Sequence, residues 1–147
     1  MNNEIHEIKR KYPDAILIVI IGMILPLIAN AVGTQFNGFP FYLKDVAWYG
    51  WLFFYAFHLI AVVSATVLYI IAKKTFGLLC YLPPLAGYGL LALLYFSFNI
   101  AEDAQSAIAL LFFPIFSAFF SLAGFVIAAV IHLIIRLARS TEGARRE

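Results

Sequence analysis

Cys80 is the only cysteine in the chain. One thiol excludes an internal disulfide and any cysteine-rich metal site, and it carries no information about redox compartment. Charge is also scarce, at 12% of residues. Several catalytic signatures are missing: the sequence contains no H-E-x-x-H, no G-x-S-x-G, no glycine-rich phosphate loop and no Cys-x-x-Cys. Enzymatic activity therefore has no positive support, no catalytic residue is assigned, and no cofactor or metal is expected. The net charge of +2 is too small to point to nucleic acid.

What the chain does have is apolar length. Hydrophobic residues make up 64% of its 147 positions and mean hydropathy is +0.94, a composition that would be insoluble as a water-exposed fold. The apolar residues fall into four runs, 15–33, 46–72, 76–101 and 107–138, separated by short polar breaks. A hydrocarbon core of roughly 30 Å needs about 20 helical residues, so each run is long enough to cross a bilayer. Apart from Arg136, no run contains Asp, Glu, Lys or Arg. The expected fold is an all-α integral membrane protein, a single domain over 1–147 with four transmembrane helices in an antiparallel bundle.

Lysine and arginine set the expected orientation. Lys9, Arg10 and Lys11, then Lys73 and Lys74, then Arg136, Arg139, Arg145 and Arg146 all fall on one side, against Lys44 alone on the other. The positive-inside rule places both termini in the cytoplasm, as for a bacterial inner-membrane protein, with Trp48 and Trp51 at the outer boundary. A competing reading treats the N-terminus as a signal peptide cleaved after Ala31, given the basic start, Pro26 and the small-x-small sequence Ala29-Asn30-Ala31. The fourth run, about 48 Å long as a helix, is expected to project into the cytoplasm, where His132, Arg136 and Arg139 can contact lipid headgroups.

Three sets of residues are candidate sites. Ser117, Ser121, Gly124 and Ala128 recur at spacings of four, three and four, a stripe of small side chains on which another helix can approach closely. That helix belongs either to the chain's own bundle or to a second protein. His58 lies at mid-depth, with Trp51, Tyr55, Ala61, Val62 and Ala65 on the same helical face. An ionisable residue there is a candidate intramembrane polar site together with Tyr55, although a neutral imidazole bonded to a hydroxyl or carbonyl satisfies the same physics. A haem held by His58 and His132 is untenable, because the two differ in depth by about 16 Å.

The prolines offer another option. Pro26 frees the carbonyl of Gly22, and Pro83 and Pro84 free those of Leu79 and Cys80 if the helix continues through them. Such breaks line transporter sites and are also ordinary kinks; alternatively the third helix begins near Pro83, leaving 75–82 as an interfacial segment. On the outer side, Asn30, Gln35, Asn99, Glu102 and Asp103 can converge near Trp48 and Trp51 or form a solvated turn.

Two patches, Ile20-Ile21-Gly22-Met23-Ile24-Leu25-Pro26-Leu27 and Cys80 followed by Pro83, Pro84 and Tyr88, resemble immunity proteins against pore-forming bacteriocins of the colicin A type. Their four-span plan with both termini inside is similar too, while the first outer loop here is shorter. The resemblance implies binding of a toxin's hydrophobic helices within the inner membrane before its pore opens. The leading expectation is thus a non-enzymatic protein whose partners are the lipid bilayer and another membrane protein or a second copy of itself. The alternative is a small oligomeric carrier or channel subunit for a proton, ion or polar solute, built on His58 and the proline-freed carbonyls. A lipid-modifying enzyme using Arg136 and His132 is a third.

Overall fold

The computed structural model describes residues 13–36, 48–97 and 104–144, with side chains over 14–29, 31–32, 52–96 and 111–141. Among these residues the structure is all-helical: α1 (Pro13–Phe36), α2 (Trp48–Phe76), a 3-10 turn (Gly77–Tyr81), α3 (Leu82–Ser97) and α4 (Ala104–Ala144). Two helical stretches, Leu52–Phe96 and Leu111–Thr141, are long and apolar enough to cross a membrane by length and composition, and Asp14–Ala29 is a shorter apolar helix. The outer surface of these helices is apolar, with Leu17, Val63, Leu93 and Phe119 each more than half exposed.

The third run departs from its expected bounds. Rather than one helix over 76–101, α2 continues to Phe76 and the chain turns through the 3-10 segment before α3 starts at Leu82. The physical cause is local. Gly77 adopts a φ of +61°, a left-handed conformation that ends helices and that glycine alone enters without a Cβ penalty. Pro83 and Pro84 then occupy the first turn of α3, where a missing N–H costs nothing because that turn has no intrahelical acceptors to satisfy. The pair is a helix start, not a break, and the carbonyl of Leu79 accepts from the N–H of Leu82.

Successive helices run antiparallel. Asp14 at the start of α1 meets Lys73 at the end of α2, while Gly22, further along α1, meets His58, earlier in α2. Leu82 and Gly87 on α3 face Gly124 and Ser117 on α4 in the same reversed sense. The buried face of α2 repeats as Phe54, His58, Ala61, Ala65, Tyr69 and Ala72. Three alanines with no exposed surface in this series let neighbouring backbones come close.

From Ser117 to Gly124 the stripe on α4 is covered by α3 of the same chain. Ser117, Ser121 and Ala128 have no exposed surface, and Ser117 Oγ donates to the Gly87 carbonyl at 2.8 Å. A Cβ added at Gly124 would lie 2.6 Å from the Leu82 carbonyl oxygen and 3.0 Å from Ala86 Cβ. One added at Gly87 would collide with Ser121 Oγ. The two glycines thus bring the helix backbones together from opposite sides. Beyond His132 the exposure pattern changes, and 133–141 are all exposed. This last part of α4 has no covering helix among the described residues.

Candidate functional site

Pro26 sits inside α1 and lacks an N–H, so the carbonyl of Gly22, one turn earlier, loses its helical donor. Left buried and unpaired, that oxygen would cost about 1–3 kcal/mol. His58 on α2 supplies the missing donor: its Nε2 lies 2.7 Å from the Gly22 oxygen. Because a carbonyl can only accept, Nε2 must carry hydrogen. In the neutral imidazole Nδ1 is then an acceptor, and it receives the hydroxyl of Tyr95 at 3.2 Å. The ring stacks on Phe54, with centroids 5.8 Å apart and planes 16° apart.

Tyr55 and His58 are brought together, their rings meeting edge to face at 5.9 Å. They also act alike. Tyr55 donates to the carbonyl of Met23 at 3.3 Å, the next oxygen along from the one His58 caps. One turn earlier on α1, Tyr88 from α3 donates to the carbonyl of Ile18 at 3.1 Å. Gly22 makes this approach possible, since a Cβ there would strike the Tyr88 hydroxyl and lie 2.9 Å from Val62 Cγ2. Positions 14, 18 and 22 share one face of α1, and each is gripped by a polar side chain from α2 or α3.

The Asp14 end of this seam was not anticipated from the sequence. Asp14 Oδ2 accepts from Tyr81 at 2.7 Å, Lys73 Nζ at 2.8 Å and Tyr69 at 3.0 Å. Lys73 also donates to the Tyr69 hydroxyl at 2.7 Å. The Lys73 ammonium, then the Tyr81 and Tyr69 hydroxyls, hold the Asp14 carboxyl down to about 2. Asp14 in turn, with Tyr69, raises Lys73 above the ordinary lysine value. A signal was present: Tyr69 and Lys73 are four apart on one helical face, and the charge bias puts Asp14 at the same boundary as Lys73.

The remaining candidates lie apart. His132 is half-buried against Phe76, ring centroids 5.4 Å apart. Phe76 is 18 residues, or about 27 Å of helical rise, beyond His58 on α2, so the two histidines occupy opposite parts of the bundle. Arg136 and Arg139 are exposed on the uncovered part of α4. The side chains of Asn30, Gln35, Trp48 and Trp51, and residues Asn99, Glu102 and Asp103, lie outside the described residues. Among the described residues no group of three or more His, Cys, Asp or Glu is placed to hold a metal ion.

Chemically, the arrangement holds polar groups still. Both His58 nitrogens are engaged, the three α1 carbonyls are each capped, and the carboxylate is paired. No protein-family model, curated protein or solved structure matches the chain.

Proposed function

We propose that the chain is a four-span protein of a bacterial inner membrane, with both termini in the cytoplasm, that binds another membrane-inserted protein through its helix surfaces and restrains it without catalysis. The observation that carries this reading is the inward engagement of the polar groups. His58, Tyr55, Tyr88 and Asp14 all direct hydrogen bonds to other parts of the same chain, leaving helix surface as the means of recognition. The small-residue stripe is occupied internally, so the contact face lies elsewhere. The best candidate is the outer side of α4, where Phe112, Phe116 and Phe120 are each about half exposed and share one face.

Aromatic side chains give large contact areas with few rotatable bonds, which suits recognition of a hydrophobic helix. Restraint of a pore-forming bacteriocin, as the sequence resemblance implies, is the specific form we favour. Cells expressing the chain are challenged with a panel of pore-forming bacteriocins, alongside a variant carrying F112A, F116A and F120A. Protection by the parent and its loss in a variant that still inserts and folds is the expected result. If the parent protects against none of the panel and copurifies with no membrane protein, the reading fails. The carrier alternative makes the opposite demand: proteoliposomes would then show proton, ion or solute flux above empty vesicles, abolished by H58Q.

A further inference from the structure

On its outward side, the gap between α2 and α4 forms a cavity of about 820 Å³, bordered by Ala56, Val63 and Val67 from α2 and by Ala118, Phe119 and Leu122 from α4. That volume falls within the roughly 300–1,000 Å³ of sites that hold small molecules. Ser64 also borders it, but its hydroxyl donates to the carbonyl of Ala61 in its own helix at 3.0 Å. The walls therefore ask for hydrocarbon and offer no polar group to match. Along α2 the lining runs from Ala56 to Leu68, about 18 Å of rise, close to the ~15 Å depth of one leaflet.

Charge distinguishes one end of this groove. Lys74 lies 18 residues beyond Ala56 on α2, and Arg136 lies 18 residues beyond Ala118 on α4. Eighteen residues are five full helical turns, so each basic residue continues the line of its groove wall. Phe76 and His132, whose rings are 5.4 Å apart, bring these two helix portions to the same level. Lys74 and Arg136 then differ in height by about 9 Å, a gap that two long snorkelling side chains can share across one headgroup. Both are exposed, and among the described residues the one ion pair is Lys73 with Asp14.

From this alignment we infer that the α2–α4 groove binds an acyl chain of an anionic phospholipid whose phosphate is held by Lys74 and Arg136. The inference rests on the membrane reading above and names a lipid that the bundle carries. It leaves the phenylalanine face of α4 to the protein partner.

The full chain, purified in detergent, is titrated with phosphatidylglycerol and with phosphatidylcholine of identical acyl chains, and bound lipid is counted by native mass spectrometry. Phosphatidylglycerol should bind at least tenfold more tightly. K74Q and R136Q should each weaken it about fivefold, the share of one basic residue at an anionic surface. R139Q, about 60° round the helix from Arg136 and a further ~4.5 Å of rise from the groove, should weaken it less than R136Q does. V63W, at a half-exposed wall position, should displace both lipids while circular dichroism shows the helices intact. Equal binding of the two lipids, an R139Q loss as large as that of R136Q, retention of lipid by V63W, or a dimer mass in place of lipid adducts would each overturn the proposal. Resistance to alkaline extraction from vesicles separates the two failures: an extracted chain refutes the membrane reading itself, whereas an inserted chain with no lipid preference refutes only the groove.

Discussion

Replacing His58 probes the seam where it is most constrained. In H58A the Gly22 carbonyl loses the one donor from outside α1 that it has among the described residues, and Pro26 cannot provide one from within. A stranded buried carbonyl costs about 1–3 kcal/mol, and the void left by a side chain with no exposed surface adds to that. P26A restores an N–H one turn after Gly22, so the carbonyl regains a helical partner whether or not His58 is present. The two substitutions should therefore couple: H58A should cost less in the P26A background by about 0.6–1.7 kcal/mol, from the average to the largest of the hydrogen-bond couplings found inside membrane bundles. H58Q should be mild, because its amide offers a donor to Gly22 and an acceptor to Tyr95. Reversible unfolding of all four members of the cycle in mixed micelles supplies the numbers. An identical H58A loss with Pro26 present or absent would refute the claim that His58 compensates for the proline.

Other consequences follow from the same contacts. G124A should destabilise by about 1–3 kcal/mol through overpacking against the Leu82 backbone, whereas G89A, with open space around it, should be neutral or stabilising; equal melting shifts would deny the close contact. S117A should lose measurable stability with its bond to Gly87, but S121A should change little, since Ser121 Oγ is buried with no hydrogen-bond partner among the described residues; the reverse order in thermal melts would count against the geometry. For Asp14, whose folded value is depressed to about 2, the stabilisation is complete above its unfolded value near 3.8 and is lost as pH falls from about 4 to about 2. For Lys73, whose folded value is raised, stabilisation persists below 10.5 and is lost only as pH rises through the higher folded value. Unfolding curves should thus be flat in this contribution between pH 5 and 9, and D14N should remove the acid limb; an unchanged acid limb in D14N would show that the carboxylate is not the titrating group.

Much of the helical layout is legible in the sequence because apolar run length and the breaks between runs are one-dimensional signals. The turn at Gly77 was less visible, since the 3-10 segment Gly-Leu-Leu-Cys-Tyr is as apolar as the helices it joins. Periodicity places His58, Tyr55 and the alanines on one face, and proline chemistry identifies Gly22 as an oxygen in need of a donor. Joining the two requires the relative height of α1 and α2, which no local pattern encodes. The Asp14 cluster shows the same gap from the other side. A lone carboxylate beside a proline reads as a helix start, and only folding brings Tyr69, Lys73 and Tyr81, some 55 to 67 residues away, onto one oxygen. Likewise the stripe of Ser117, Ser121, Gly124 and Ala128 announces a close contact but not its partner, which is Gly87 and its neighbours in the same chain.

The proposal that α4 presents a protein-binding face is tested most directly by photo-crosslinking in intact membranes. A photoreactive phenylalanine analogue is placed at Phe116, half exposed on the outer side of α4, or at Leu17, similarly exposed on α1, in cells carrying a membrane-inserted pore-forming bacteriocin. The account predicts a crosslink between the chain and the bacteriocin from Phe116 and none from Leu17. Lipid adducts alone at both positions, together with His58-dependent flux in proteoliposomes, would contradict it.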